Sequence, residues 1–208
     1  SELYGKEEWS RNGERDFNDW GLYDDKLFKH AKSKLDALEK SKHPFNLTLL
    51  TVDTHFPDGF YSPTCTQKGA RDYKGIVSCT AEQITDFLNY MKRKGYLKNT
   101  VVVILGDHLA TQVPVYEELE SSKHRTVFNR FITPNSLVKN REDLYHFSMF
   151  PTILYSLGFR FDQNRLGLGV SGFGSIDEGY EVPKMNQSEF NELISKSSQK
   201  YRELWVGH

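Results

Sequence analysis

Two short segments combine acidic and histidine side chains at the points where buried strands are predicted to end. Residues 53 to 59 follow one apolar run, and Gly106-Asp107-His108 follows another. In an open parallel sheet, ligands collect beyond the carboxyl ends of the strands. Asp107 offers a carboxylate oxygen and His108 an imidazole nitrogen, and both suit a divalent ion such as zinc or manganese. Such a pair also occurs in surface or structural roles, so the pattern alone leaves both interpretations open.

Residues 53 to 59 contain a histidine inside a predicted tight turn. Pro57 and Gly59 favour a rigid turn that would hold His55 and Asp58 at the sheet edge. A protonated imidazole there would bind a phosphate or a developing oxyanion. The alternative is a histidine that only makes structural hydrogen bonds.

A small cationic cluster, Lys123-His124-Arg125, precedes another predicted strand. It suits either an ordinary solvated loop or a contact of Arg125 with a phosphate or sugar.

Helices and strands alternate along the first part of the chain, which predicts an α/β fold. The expected architecture is a doubly wound, mostly parallel sheet with helices on both faces. The first helix is expected to be capped by Asp24, and the second to start with a capping box of Thr80 and Gln83 and to end at Gly95. Gly167 to Gly174 is expected to be a flexible surface loop. The predicted helices span residues 24–41, 80–95, 144–157 and 188–204, and the predicted strands span residues 45–52, 100–105 and 126–133. The helix at 144–157 is expected to be closed by Gly158, and Pro151 is expected to kink it or to mark the start of its second part.

Length and charge limit the possible classes of protein. A chain of 208 residues suits one domain, and a formal net charge of -1 gives no general attraction to nucleic acid. No run of about 18 apolar residues is present, so no membrane-spanning helix is predicted. The chain opens with Ser1, inside what looks like a loop, and we expect it to be a fragment of a longer protein.

The chain has two cysteines, Cys65 and Cys79, at the ends of one polar, glycine-containing segment. This arrangement suits a local disulfide, although two unrelated reduced thiols fit the spacing as well.

Six stretches, taken in order, resemble the membrane-anchored phosphoglycerol transferases that modify periplasmic glucans. They resemble the lipoteichoic acid synthases more distantly, and both groups belong to the alkaline phosphatase/sulfatase superfamily. The stretches are DWGLYDDKLF (19–28), TVDTHFPDGFYSPTC (51–65), VSCTAEQITDFLNYMK (77–92), TVVVILGDHLA (100–110), HFSMFPTILYSLG (146–158) and RLGLGVSG (165–172).

The resemblance implies an alkaline phosphatase-like fold with a catalytic metal, Mn²⁺ or Mg²⁺ and less readily Zn²⁺. Asp107 and His108 would bind it together with an acidic residue and a nucleophilic Thr. That Thr would carry phosphoglycerol from a phosphatidylglycerol-type lipid to a glycan acceptor. His55 matches the histidine near the substrate phosphate, and the branch that modifies glucans has cysteines where Cys65 and Cys79 stand, which favours the disulfide. The implied location is extracytoplasmic, in a parent anchored in the membrane.

Two departures from the family pattern qualify these expectations. Nothing before Asp19 matches the half of the family that holds the acidic ligand and the Thr, so we expect residues 1–208 to be the C-terminal part of the domain and inactive alone. Residues 176–208 would be a helical extension. Ile76, Val77 and Ser78 stand where some lipoteichoic acid synthases have a further substrate histidine. Alternative functions are a sulfatase or phosphodiesterase of the same superfamily, or a non-catalytic module that binds a glycan.

Overall fold

A computed structural model describes residues 2–175 and 185–206, and it divides the chain into two compact units, Ser1–Pro134 and Asn135–His208. In the first unit the elements are α1 (Lys6–Arg11), α2 (Asp24–Ser41), α3 (Pro63–Gln67), α4 (Tyr73–Lys94), a 3-10 turn (Tyr96–Lys98), β1 (Val102–Leu105), α5 (Tyr116–Glu120) and β2 (Asn129–Ile132). In the second they are a 3-10 turn (His146–Ser148), α6 (Met149–Ser156), a 3-10 turn (Asp162–Asn164), β3 (Arg165–Leu166), β4 (Gly169–Val170), α7 (Gln187–Ser195) and α8 (Gln199–Val206).

The core of the first unit lies between α2 and α4. Apolar side chains recur at helical spacing in both helices, so each helix has one apolar face to bury. The buried side chains of this core are Phe28, Ala31, Leu35, Phe87 and Met91. Full burial of one large apolar side chain contributes roughly 1.5–3 kcal/mol, and this pairing therefore holds the two longest helices together.

Helix α2 has the predicted bounds, but Asp24 does not cap it. Asp24 is the first helical residue, and the N-cap position is Tyr23, which makes no side-chain cap. The Asp24 carboxylate instead accepts hydrogen bonds from the backbone N–H groups of Val52, at 2.8 Å, and Asp53, at 3.3 Å. The capping prediction was wrong because a distant segment of backbone competes for the same carboxylate.

Helix α4 starts seven residues before the predicted helix, at Tyr73 rather than Thr80. Its N-cap is Asp72, whose side chain accepts a 2.8 Å hydrogen bond from the N–H of Gly75. Thr80 and Gln83 lie buried inside the helix, so the predicted capping box is wrong. The predicted end is confirmed, since Gly95 closes the helix in a left-handed conformation with φ of 80°.

The segment 45–52 is not a strand, although its side chains alternate as in one. Phe45, Leu47 and Leu49 pack on the α2–α4 core, whereas the side chain of Leu50 is 72% exposed. The backbone has no neighbouring strand among the described residues, and without pairing an extended segment is not part of a sheet.

The strands β1 and β2 lie inside the ranges predicted from the sequence. They pair antiparallel, with Val102 opposite Ile132 and Leu105 opposite Asn129. The pair β3–β4 is also antiparallel, and these two pairs are the sheets of the described residues. The architecture observed is therefore helices with small sheets, and the doubly wound parallel sheet is not formed by the described part of the chain.

The helical part at the predicted helix 144–157 begins two residues late, at His146. A 3-10 turn leads into α6, and Pro151 lies in the first turn of α6, where a missing N–H costs no helical hydrogen bond. Pro151 thus marks the start of the second part of the predicted helix. Gly158 follows its end with φ of 93°, as expected.

The glycine-rich segment 167–174 is not a loose surface loop. It contains β4, and Val170 and Ser171 are 2% and 0% exposed. A Cβ at Gly169 would lie 2.1 Å from the carbonyl oxygen of Phe147, so only glycine fits there. Arg141 donates to the carbonyls of Val170 and Ser171 and holds the segment in place.

The predicted C-terminal helix is divided into α7 and α8, separated by residues 196–198. Phe190 of α7 is buried and stacks on Tyr145, with ring centroids 4.4 Å apart. Of the predicted extension 176–208, residues 176–184 and 207–208 lie outside the described residues. In the part of the chain that is described, no helix has the length and apolar character needed to cross a membrane.

Candidate functional site

Asp107 and His108 follow the carboxyl end of β1, as predicted. The N–H of Gly106 donates to the carbonyl of Phe128 over 2.9 Å, so the strand pairing continues to the residue just before them. Both side chains then project into solvent, with exposed fractions of 73% for Asp107 and 60% for His108. The strand therefore presents an acidic and an imidazole side chain next to each other at an accessible edge.

The hydrogen bonds of this pair leave one oxygen and one nitrogen for a ligand. Asp107 Oδ1 accepts a 2.9 Å bond from the N–H of His108. His108 Nδ1 lies 2.9 Å from the carbonyl oxygen of Leu109, and because a carbonyl only accepts, Nδ1 carries the proton. The lone pair of His108 therefore lies on Nε2, the arrangement common in histidines that bind metals.

The remaining two atoms suit a shared divalent ion. Asp107 Oδ2 and His108 Nε2 are 3.5 Å apart. Two ligand atoms about 2.1 Å from one ion would be about 3.4 Å apart in tetrahedral geometry and about 3.0 Å apart at neighbouring octahedral positions. Within residues 2–175 and 185–206, however, no group of three or more His, Cys, Asp or Glu side chains could hold a metal ion. The described residues thus bring together two adjacent side chains that could act as ligands, without a third one.

Arg125 stabilises the loop that follows this pair. Its Nη2 donates a 2.6 Å hydrogen bond to the carbonyl of Ala110. Its guanidinium group also lies 5.6 Å from the ring centroid of Tyr116. These contacts give Arg125 a structural role in the loop, and its predicted contact with substrate stays a prediction.

His55 lies in a tight turn, as Pro57 and Gly59 led us to expect. The carbonyl of Asp53 accepts a 2.7 Å bond from the N–H of Phe60, and the carbonyl of His55 accepts a 3.0 Å bond from the N–H of Gly59. Tyr73 of α4 donates its hydroxyl to the carbonyl of Thr54 over 2.8 Å. Several backbone bonds therefore fix the turn.

The imidazole of His55 is oriented by its neighbours. Nδ1 donates to the carbonyl of Phe56 over 2.8 Å, so Nε2 again carries the lone pair when the ring is neutral. The indole of Trp20 stacks on the imidazole with ring centroids 3.8 Å apart. Asp58 lies exposed in the same turn. The described residues show no hydrogen bond, ion pair or ring contact that joins His55 to Asp107 or His108.

Two buried acidic residues lie at the start of the His55 turn: Asp53, within the predicted segment 53–59, and Asp24, which the sequence did not place in a site. The side chains of Asp24 and Asp53 are both 0% exposed. Burial, reinforced by the charge of Asp24, raises the pKa of Asp53 to about 7, and burial also raises the pKa of Asp24. One oxygen of Asp53, Oδ2, has no hydrogen-bond partner among the described residues. The one sequence signal was an Asp at the end of an apolar run.

Cys65 and Cys79 form the disulfide that the family resemblance favoured. The bond joins α3 to α4, and both cysteines are buried, with 0% and 4% exposed. The amide of Gln83 lies 3.2 Å from the sulfur of Cys65 and 3.5 Å from that of Cys79. The disulfide therefore ties the segment after the His55 turn to the long helix.

Comparison with known proteins extends these observations. The chain is 42% identical to the phosphoglycerol transferase I proteins of Salmonella paratyphi B, Salmonella newport and Salmonella typhi, over 118 residues in each case. The aligned region is 53% of this chain and 15% of each relative, so the chain spans only a small part of their length. No solved structure matches it. The sulfatase family matches residues 2–159, a range that includes the His55 turn, the disulfide and the Asp107–His108 pair, and the chain therefore belongs to the sulfatase family.

Proposed function

We propose that this chain is part of a phosphoglycerol transferase of the sulfatase superfamily. The enzyme would move phosphoglycerol from a phosphatidylglycerol-type lipid to a glycan of the cell envelope. The observation that carries the proposal is the Asp107–His108 pair, whose two available ligand atoms lie 3.5 Å apart in a chain related to phosphoglycerol transferase I. Nucleic acid is not among the proposed partners.

Asp107 and His108 would bind one divalent ion, Mn²⁺ or Mg²⁺, with Zn²⁺ as a less favoured alternative. Such an ion supplies a positive charge that stabilises negative charge on phosphoryl oxygens. The remaining ligands, including an acidic residue, and the Thr nucleophile would come from protein residues outside this chain. In this chain, Oδ2 of Asp107 and Nε2 of His108 would hold the ion, and the Nδ1–H of His108 would keep the imidazole in place through the carbonyl of Leu109.

Substrate would be held by His55, Asp58 and Arg125. In the protonated imidazole, the Nε2–H of His55 would donate a hydrogen bond to a phosphate oxygen, while Nδ1–H stays bonded to the carbonyl of Phe56. Arg125 would offer guanidinium donors beyond the one bonded to Ala110. Asp58, exposed in the His55 turn, would accept hydrogen bonds from hydroxyl groups of glycerol or sugar.

We also propose the larger architecture of the enzyme. Residues 1–208 would be the C-terminal part of the catalytic domain, and residues 176–208 its helical extension. Segment 45–52 would pair with strands from outside this chain in a doubly wound, mostly parallel sheet. Its strand-like alternation supports this, and so does Leu50, which is 72% exposed and would gain a neighbour.

The proposed location is outside the cytoplasm, in a parent anchored in the bacterial membrane. The disulfide between Cys65 and Cys79 supports this location, because such bonds persist in oxidising compartments. A lipid donor and an envelope glycan are both accessible there.

The test is the release of phosphoglycerol from a fluorescent phosphatidylglycerol analogue by the full-length protein that contains this chain. We expect turnover with Mn²⁺ and its loss after chelation. Asp107→Ala should abolish turnover and lower the bound metal after dialysis. The matched control is Glu117→Ala, which removes an exposed carboxylate in α5 and should change neither quantity. Lipid turnover that survives Asp107→Ala would refute the role of the pair.

A second candidate is a sulfatase or a phosphodiesterase, and the match to the sulfatase family over residues 2–159 favours it. The same full-length protein would then be inactive on the lipid and would cleave a nitrophenyl sulfate or a bis-nitrophenyl phosphate. Comparing the three substrates at equal metal concentration separates these activities.

A further inference from the structure

Asn18 closes the short loop that carries Trp20. It is 5% exposed, and its Oδ1 accepts hydrogen bonds from the N–H groups of Trp20, at 2.9 Å, and Gly21, at 2.8 Å. Its own N–H donates to the carbonyl of Gly21 over 2.9 Å. Phe17 and Leu22, at the two ends of the loop, form an antiparallel bridge. The backbone N–H groups of Trp20 and of the residue after it are therefore both bonded to the buried side-chain amide of Asn18.

The same amide reaches the turn that carries His55. Nδ2 of Asn18 lies 3.4 Å from Oδ1 of Asp53, across 35 positions of sequence. Asp53 starts the turn, its carbonyl accepts the N–H of Phe60, and its side chain is 0% exposed. Asn18 and Asp53 thus join the Trp20 loop and the His55 turn from beneath.

The two rings that these loops carry meet at the surface. The indole of Trp20 and the imidazole of His55 are 3.8 Å apart at their centroids, with an angle of 28° between their planes. Trp20 is 57% exposed, so burial of its own ring does little to determine where it lies. The position of the stack depends on the backbone beneath it.

We infer that Asn18 and Asp53 are positioning residues that hold the Trp20 indole against the His55 imidazole. The consequence for substrate binding rests on the proposed function, whereas the positioning itself does not. Stacking fixes the plane of the imidazole and so the direction of Nε2.

The positioning can be measured without substrate, metal or activity. In a proton–carbon NMR spectrum of the histidine rings, the His55 signal is identified by its loss in His55→Gln. The ring current of Trp20 should move this signal upfield from that of His43, which is exposed. Trp20→Ala should remove the share of this displacement that Trp20 causes, while the Phe56 ring, whose centroid lies 4.5 Å from that of His55, keeps its own share. This variant defines the unstacked value, the one without the Trp20 stack, at a fixed pH.

Asn18→Ala should move the His55 signal most of the way to the unstacked value. Asn18→Asp keeps the acceptor for Trp20 and Gly21 but places a carboxylate against Asp53, and it should have a similar effect. The exchanged pair Asn18→Asp/Asp53→Asn restores one amide and one carboxyl group, so it should return the signal toward that of the wild type. Asn140→Ala is the control, because it removes a part-buried amide that bonds to Ser171 and Gly174 in the other unit and should leave the signal unchanged.

Two results would overturn the inference. One is a wild-type His55 signal equal to that of Trp20→Ala, which would mean that the rings do not stack. The other is a folded Asn18→Ala protein with the wild-type signal. If Asn18→Ala does not fold, the exchanged pair decides: restoration of the signal supports the inference, and a folded pair with the unstacked signal contradicts it.

Kinetics of the full-length protein then test the functional consequence separately. Asn18→Ala should raise KM for the lipid analogue about tenfold, with a smaller change in kcat, because His55 would still be present but less often oriented. The exchanged pair should bring KM most of the way back to the wild-type value. A wild-type protein without lipid turnover would refute the proposed function and leave the NMR result standing. A displaced His55 signal with unchanged KM would refute the functional consequence alone.

Discussion

The hydroxyl of Thr80 in α4 donates a hydrogen bond to the carboxylate of Asp24 in α2 across 3.2 Å. Both residues are buried, at 6% and 0% exposed. Thr80→Val keeps the shape of the side chain but leaves a buried carboxylate oxygen without its donor, so it should destabilise the protein by about 1–3 kcal/mol in urea unfolding. Thr85→Val is the control, since Thr85 is exposed and bonds only within its own helix, to Ala81. Equal losses for the two variants would contradict this role of Thr80.

The stability of the protein should fall as the pH rises toward neutrality, because of Asp53. Its folded-state pKa of about 7 lies above the ordinary value of 3.8, so the folded state binds the proton more tightly than the unfolded state. The resulting stabilisation is complete below about pH 4 and is lost as the pH rises through about 7. Between these two pH values, the contribution of Asp53 to the free energy of unfolding should fall by on the order of 4 kcal/mol.

Urea unfolding of wild type and Asp53→Asn across this pH range measures that contribution. The variant should lose much of the slope, and the slope that remains should include Asp24, whose pKa is raised by burial in the same direction. Asp162→Asn, which removes an exposed carboxylate, should keep the wild-type slope. Identical pH dependence in wild type and Asp53→Asn would exclude Asp53 as the cause.

The disulfide should make the stability sensitive to reductant. It closes a loop with a sequence separation of 14 residues, for which loss of the bond should cost roughly 3 kcal/mol. Unfolding followed with and without a phosphine reductant should show this loss in the wild type. The double variant Cys65→Ala/Cys79→Ala should be destabilised already and should not respond to the reductant. A wild type that unfolds at the same urea concentration under both conditions would show that the bond contributes nothing.

Gly59 should tolerate substitution less well than another glycine with a similar backbone. It has φ of 72°, and a Cβ there would lie 2.9 Å from Cδ1 of Ile76 and 3.0 Å from the carbonyl oxygen of Asp53. Gly69 has φ of 89° but nothing within 4 Å of a Cβ. Gly69→Ala should cost about 1–2 kcal/mol for its left-handed backbone alone.

Gly59→Ala should cost at least about 1 kcal/mol more than Gly69→Ala, because the added methyl also overlaps the packing of the His55 turn. Comparing the free energies of unfolding of the two variants isolates that packing cost. Gly59→Ala should also displace the His55 NMR signal, whereas Gly69→Ala should leave that signal unchanged. Equal costs for the two substitutions would show that the turn relaxes around a methyl group.

Features that depend only on residues close together in the sequence were predictable from it. The bounds of α2 were correct because its apolar residues recur at helical spacing over five turns. Gly95 and Gly158 end their helices as expected, since a left-handed residue after a helix favours glycine wherever it occurs. The Asp107–His108 pair was recognisable because its two members are adjacent and follow an apolar run.

Predictions failed where a distant segment competes for the same side chain. Thr80 and Gln83 have the spacing of a capping box, but Asp24 and the disulfide are their partners, and α4 continues through both residues. Segment 45–52 has the composition of a strand, but a strand exists only where another pairs with it. Composition alone specifies neither the partner nor its direction.

For the candidate site, the chemical groups present could be read from the sequence, as could the nearness of Asp107 to His108 and of His55 to Asp58. The stacking of Trp20 on His55 and the bond of Asn18 to Asp53 beneath them exist only in the folded chain. Both contacts join residues 35 positions apart in sequence, and Asn18 and Asp53 meet in a buried position that forms only when the chain folds. Contacts between residues so far apart in sequence cannot be read from local periodicity or from helix and strand propensity.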